Sequence, residues 1–296
     1  MKYFIFLLFA VFPLFFPLFA SAQNAVKIGN VTGEVYRYKN FASKFVEARN
    51  IDVWLPSNYS KNKKYAVVYM HDGQNLFNPK ESYGGVDWGI DETLEKLSGE
   101  GKIKAAIVVG IWNTPKRIIE YAPQKAYDIV NRKNIKNSPL AKPQKAESDE
   151  YLKFIVSELK PFIDGNYATA ADRTNTFIIG SSMGGLISLY AISEYPEIFG
   201  GAGCVSTHFP LGEGIMLEYM KRHLPAPKNH KIYFDYGTET LDAQYEPYQI
   251  KADAIMKKKG YKQGKNWMTR KFEGEEHSEK SWRKRVDIPL TFFLGK

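Results

Sequence analysis

Residues 176–195 read TFIIGSSMGGLISLYAISEY, and this stretch decides the fold. Its first five residues are rich in β-formers and apolar on both faces, the pattern of a central parallel strand covered by helices. From Met183 to Glu194 the pattern is helical. Between the two, Gly180-Ser181-Ser182-Met183-Gly184 fits G-x-S-x-G. A serine in a sharp strand-to-helix turn carries strained dihedrals, and glycines two residues to either side let neighbouring chain approach closely. The turn lifts the hydroxyl out of the sheet and aims the first helix amides at whatever reacts with it. The five-residue string is short enough to arise by chance; the strand before it and the helix after it give it meaning.

Outward from this turn, strand-like and helical runs alternate. Residues 65–70 (YAVVYM), 105–111 (AAIVVGI), 201–206 (GAGCVS) and 231–236 (KIYFDY) read as further buried parallel strands, and 267–272 as the last strand. Residues 31–38 and 45–55 alternate apolar and polar side chains, predicting antiparallel strands that open the sheet. Helices are expected over 90–97, 148–162, 183–194 and 245–259, and over 280–294 with a break or kink at Pro289. This order predicts an α/β fold: a mostly parallel, doubly wound sheet with antiparallel N-terminal strands and helices on both faces. Residues 113–145 break the rhythm, being polar and Lys-rich with Pro115, Pro123, Pro139 and Pro143. An irregular excursion after a parallel strand is expected to border the active site.

The ends and the composition bound the rest. The chain has 296 residues, 44% of them hydrophobic and 25% charged, with a net charge of +9. Its basic residues are scattered among acids with no basic face carrying stacking aromatics, so no nucleic-acid partner is expected. Lys2, the apolar run 3–20 and Ala20-Ser21-Ala22 read as a cleavable signal peptide over 1–22. Pro13 and Pro17 interrupt the run and argue against a membrane anchor. Cleavage leaves 274 residues, 23–296, at +8, expected to form one exported domain, periplasmic or secreted. No later segment is long and apolar enough to span a bilayer. With Cys204 as the single cysteine, no intrachain disulfide is possible.

A serine nucleophile at neutral pH needs a base, and in this fold the chain order is serine, acid, histidine. His277, in Glu273-Gly274-Glu275-Glu276-His277-Ser278, lies between the last strand and the final helical run, where the base belongs. His208, just past a strand end, lines the pocket or is the alternative base, while His223 and His230 read as ordinary surface residues. The acid should follow the strand at 231–236. Asp242 leads, Glu239 is the alternative, and Asp235 trails because it falls inside the strand. The amide of Met183 is one expected oxyanion donor. The second comes from His71-Asp72-Gly73-Gln74-Asn75, as the amide of Gln74 or Gly73, with His71 and Asp72 bracing the loop. No His/carboxylate spacing suggests a metal, and none is expected.

Ser182 in GSSMGG, His277 in GEEH, and YMHDGQNLF (69–77) followed by DWGIDE (87–92) resemble the putative-esterase family of α/β-hydrolases. That family is similar to enterochelin esterases, to the feruloyl and acetyl-xylan esterases of carbohydrate esterase family 1, and to S-formylglutathione hydrolase. The resemblance runs from about Val46 to the C-terminus. It implies a single-domain esterase with a Ser–acid–His triad and no cofactor. It puts the second oxyanion donor on Gln74, and Trp88 and Asp91 near the pocket. Relatives often carry the acid three residues after the glycine of the Gly-Thr turn, and that position here is Thr240. The choice between Asp242 and Glu239 therefore stays open. An acyltransferase would use the same acyl-enzyme, and a non-catalytic carbohydrate-binding relative would keep only the fold. Lys116, Arg117, Lys125, Arg132, Lys133, Lys136, Lys142 and Lys145 in the excursion face only Glu120 and Asp128, and Trp88, Trp112 and Tyr121 fall near the same strand ends. Together they suggest a short-acyl or aryl ester of a polar molecule.

Overall fold

A nine-stranded sheet carries the other elements of the computed structural model, which describes residues 25–129 and 146–296. The apolar N-terminal run and most of the basic second half of the excursion lie outside the described residues. The strands are β1 (Val26–Ile28), β2 (Glu34–Phe41), β3 (Arg49–Leu55), β4 (Ala66–His71), β5 (Ala106–Ile111), β6 (Thr176–Ser181), β7 (Gly201–Val205), β8 (Lys231–Gly237) and β9 (Trp267–Phe272). Their order across the sheet is β1-β2-β3-β5-β4-β6-β7-β8-β9. Strands β1 to β3 pair antiparallel and β3 meets β5 antiparallel; from β5 to β9 every pairing is parallel. Strands β4 to β7 are buried at every position, which is why they read as unbroken apolar runs.

Alternate residues of each central strand feed two cores. Val67, Tyr69 and Ile178 point into one; Val68, Met70 and Ile179 point into the other. Helix α6 (Met183–Glu194) is buried from Met183 to Ser193, so it has no polar face. Helix α1 (Ile90–Gly99) is amphipathic by contrast, burying Ile90, Leu94 and Leu97 at helical spacing.

Several boundaries differ from the sequence expectation. The short β1 is additional, and β2 starts at Glu34 after Gly33 turns the chain at φ +78°. The first part of the excursion is not irregular: α2 (Arg117–Tyr121) and α3 (Gln124–Ile129) occupy it, each too short to print a periodicity. The expected helix at 148–162 runs on as α4 (Ser148–Phe154), a π turn (Ile155–Leu159) and α5 (Lys160–Asn166). Helix α7 (Ile215–His223) is additional to the expected helices, and α8 spans Glu246–Lys258. The C-terminal run splits into α9 (Glu279–Arg283) and α10 (Asp287–Leu294). The break falls before Pro289, which sits in the first turn of α10, where a missing N–H costs nothing.

Strands β4 and β6 are neighbours, yet β4 leads on to β5 on one side while β6 leads on to β7 on the other. Loops leaving adjacent parallel strands in opposite directions open a crevice at their carboxyl ends. Gln74 follows β4 and Ser182 follows β6.

Candidate active site

Ser182 holds φ 57° and ψ −119°, a conformation rare for any residue with a side chain. What holds it is crowding on both sides. A Cβ on Gly180 would lie 2.7 Å from the carbonyl carbon and oxygen of Gly184, so the two motif glycines are in mutual backbone contact. Ser182 N–H donates to Val205 O at 2.9 Å, and Ser182 O accepts from His208 N–H at 3.1 Å, pinning the elbow to the end of β7. Met183 opens α6, so its amide is among those with no intrahelical acceptor.

The loop after β4 packs against this helix start: a Cβ at Gly184 would sit 3.4 Å from His71 Cβ and 3.5 Å from Asp72 Oδ2. Gly73 is pressed on Gly110 of β5 so closely that no side chain fits, a Cβ there lying 2.5 Å from the Gly110 carbonyl carbon. Asp72 is left-handed at φ 55° and is held by its carboxylate. That carboxylate accepts from Arg117 Nε and Nη2, both at 2.7 Å, and from Asn113 Nδ2 at 2.6 Å. Burial raises the Asp72 pKa, but the Arg117 guanidinium outweighs it and holds the group below the ordinary carboxylate range. His71 Nδ1 lies 2.8 Å from the Tyr151 hydroxyl, and burial pushes its pKa down to about 3. Both residues thus brace the segment carrying Gln74, whose Oε1 accepts from Asn113 N–H at 3.3 Å.

At the far ends of β8 and β9 two loops are stitched together. Gly237 passes so close to Glu275 O that a Cβ would lie 2.1 Å from it. The amides of Thr238 and Glu239 donate to that same oxygen at 3.0 and 3.1 Å. Thr240, at the position where relatives often carry an acid, accepts from His277 N–H through its hydroxyl at 2.9 Å. The carboxylate this brings to His277 is Asp242, with Oδ1 at 2.6 Å from Nδ1. Its Oδ2 accepts from Ser206 Oγ–H and Gly237 N–H, each at 2.6 Å. Glu239 points to solvent, and Asp235 is taken by Tyr233 and Arg285 inside the sheet. The His277 ring stands edge-to-face between Trp282 at 5.0 Å and Tyr245 at 5.6 Å.

Four residues here carry no sequence signal. Ser206 Oγ receives Trp282 Nε1–H at 3.0 Å and Arg285 Nη2–H at 2.9 Å, so a buried cation backs Asp242 through one hydroxyl. Tyr245 reads only as a helix start, yet its hydroxyl lies 2.7 Å from His208 Nδ1.

The remaining expectations divide. Trp88 is buried and its ring packs on Trp282 at 5.5 Å, one step from His277. Asp91 accepts from Thr32 N–H at 2.7 Å, and burial raises its pKa to about 7. Tyr121 is buried, and Trp112 lies under the Arg37 guanidinium at 4.3 Å. His223 is exposed and stacks on Tyr219, as a surface residue does. His230 is not a surface residue: it is buried, with its ring nitrogens on the carbonyls of Ala226 and Pro196 at 2.9 and 2.8 Å. Among the described cations of the excursion, Lys116 pairs with Glu47 and Glu147, Arg117 with Asp72, and Lys125 with Glu194.

Comparison with known proteins is consistent across sequence and structure. Residues 43–288 match the family model described as "Putative esterase". The chain is 29% identical over 210 residues to YjcH of Bacillus subtilis, covering 71% of this chain and 75% of that protein. It is 28% identical over 188 residues to an endo-1,4-beta-xylanase/feruloyl esterase of Xylanibacter ruminicola, covering 62% of this chain and 22% of that longer protein. A solved ferulic acid esterase superposes with a TM-score of 0.65 at 18% identity, covering 89% of this chain and 98% of that one, which establishes the shared α/β fold.

Proposed function

The chain belongs to the Putative esterase family, and from that premise we propose that it is an exported serine esterase acting on a short-acyl or aryl ester of a polar molecule. The observation that carries the reading is the 2.6 Å contact of Asp242 with His277, the histidine already picked out by chain order after a strained G-x-S-x-G elbow. In this reading Ser182 Oγ attacks the acyl carbon while His277 Nε2 takes its proton. The carbon–oxygen bond to the alcohol breaks, and the alcohol leaves with the proton from His277. Water then repeats the sequence on the acyl-enzyme and regenerates Ser182. Asp242 fixes the imidazole tautomer and stabilises the imidazolium. The amides of Gln74 and Met183 take the oxyanion, a donor pair in which each member is worth roughly a hundredfold or more in rate.

The substrate class rests on the feruloyl esterase name of one relative and on the polar character of residues 113–145. The described cations of that stretch are already ion-paired, so any attraction for anionic esters falls to residues beyond Ile129. Export rests on the leader pattern at 1–22, with residues 23–296 as one catalytic domain. The test is a fluorophosphonate, which should label wild-type protein at Ser182. A panel of acetylated, feruloylated and catecholate esters beside long-chain triglycerides then ranks substrates. No label at Ser182 would sink the serine-esterase reading, and preference for triglycerides would sink the substrate class. N-terminal sequencing of the exported form should begin at Gln23.

A further inference from the structure

Ser206 follows Val205, the last residue of β7, whose carbonyl accepts from Ser182 N–H at 2.9 Å. It is fully buried and left-handed at φ 39°, a conformation that residues with a side chain rarely adopt. Asp235 clamps its backbone there: Ser206 N–H donates to Asp235 O at 3.0 Å and to Oδ1 at 3.1 Å. The Ser206 hydroxyl has three partners, Trp282 Nε1 at 3.0 Å, Arg285 Nη2 at 2.9 Å and Asp242 Oδ2 at 2.6 Å. The first two can only donate, because neither an indole N–H nor a guanidinium carries an acceptor. A hydroxyl has one proton to give, and Asp242 is the one acceptor of the three. The Ser206 proton therefore points at Asp242.

The cation behind that hydroxyl is unusual in how it spends its donors. Arg285 is buried, and of its guanidinium nitrogens only Nη2 has acceptors among the described residues. Those acceptors are Asp235 Oδ1 at 3.1 Å and Ser206 Oγ. Donors on the oxygen of a hydroxyl make its own proton a stronger donor, and low dielectric adds to the effect. Arg285, Ser206, Asp242 and His277 are thus linked by hydrogen bonds that polarise one another in one direction. Gly237 N–H is the only other donor to Asp242 Oδ2.

We propose that Ser206, its proton aimed by Trp282 and Arg285, is a positioning residue that sets how strongly Asp242 pulls on the His277 imidazole. The inference rests on the reading of Ser182, His277 and Asp242 as a triad. Ser206 acts through Asp242 alone, and no proton leaves it. Its O–H holds Oδ2 in place, so that Oδ1 stays on His277 Nδ1, and it draws part of the carboxylate charge towards itself. Without it the carboxylate would attract the imidazolium more strongly, and the base would stay protonated to a higher pH. The other titratable side chains that face Asp242 and His277 are His208, Tyr245 and Glu279, and substitution at Ser206 leaves all three in place.

Ser206→Ala removes only the hydroxyl. The decisive measurement is the second-order rate of fluorophosphonate inactivation from about pH 5 to about pH 9, which reports the serine and its base with little substrate recognition. The pH at which that rate falls to half its plateau should move up by about half a pH unit or more. The plateau itself should drop about fivefold or more, with KM on p-nitrophenyl acetate changed by less than about twofold. The thermal midpoint should fall as well, because Trp282 Nε1–H loses its acceptor, but a purely structural residue would show that fall and no shift in pH. A folded Ser206→Ala protein with the wild-type half-rate pH overturns the proposal, whatever its plateau. Should the alanine variant not fold, Ser206→Gly removes the same hydroxyl and suits the left-handed backbone. The same upward shift in the glycine variant supports the proposal, and an unmoved half-rate pH overturns it. Wild-type protein that takes no label at Ser182 removes the esterase reading itself, whereas labelled wild type beside an unshifted Ser206 variant removes only this inference.

Discussion

Asp242 meets His277 at 2.6 Å, Oδ1 to Nδ1, while its other oxygen is occupied by Ser206 Oγ–H and Gly237 N–H. A buried carboxylate with both oxygens satisfied has one orientation and no freedom to leave the imidazole. Burial raises its pKa, but the hydrogen bonds from His277 and Ser206 outweigh that and hold it below the ordinary carboxylate range. It is thus charged wherever His277 is asked to accept a proton.

Asp242→Asn should lower kcat by about a thousandfold or more, since an amide offers the imidazole the wrong tautomer. Glu239→Gln, a change at a solvent-facing side chain, should alter kcat by less than about twofold. Steady-state kinetics of the two variants decide; the opposite order would transfer the role of acid to Glu239.

Ser182→Ala and His277→Ala should each cost about a thousandfold or more in kcat, and the double variant should be no worse than either. Groups acting as one unit lose their function together. Multiplicative losses, seen by active-site-titrated kinetics, would mean that the two do not cooperate.

Arg117→Lys should lower kcat by roughly tenfold without unfolding the protein, because a point charge cannot reproduce the two-pronged grip on Asp72. Asp72 is left-handed at φ 55° and relies on that grip to present the next two amides. Kinetics beside circular dichroism check this. Wild-type kcat in the lysine variant would show that charge alone holds the loop.

Gly180→Ala should cost about 3 kcal/mol or more, or prevent folding, because the added methyl has Gly184 backbone at 2.7 Å. Gly99→Ala, where nothing lies within 4 Å, should be neutral or stabilising by up to about 1 kcal/mol. Urea denaturation of both variants gives the contrast, and similar midpoints would contradict the crowding argument.

His71 and His208 have folded pKa values depressed to about 3 and about 4 by burial. Their neutral forms stabilise the fold above the unfolded value near 6.5, and that stability is lost as pH falls towards the folded values. Within that window each adds a slope of about 1.4 kcal/mol per pH unit. Urea midpoints from pH 7 to pH 4 should fall less steeply for His71→Asn than for wild type. Parallel curves would mean that His71 is not buried in its neutral form.

By itself the sequence determined the elements whose information is local. The buried strands, the all-apolar α6 and the elbow at Ser182 follow from side-chain period and from two glycines spaced four apart, and chain order then singled out His277. Tertiary structure alone decided which carboxylate faces that histidine. Glu239 and Asp242 share one turn and one chemistry. They differ because Thr238 and Glu239 are tied by their amides to Glu275 O, which leaves Glu239 outside and turns Asp242 inward. The same holds for Ser206, Tyr245, Trp282 and Arg285, which lie 24 to 103 positions from Ser182. Periodicity records which face of an element is buried, but not which strands become neighbours; the order β6-β7-β8-β9 is what brings their loops to one edge.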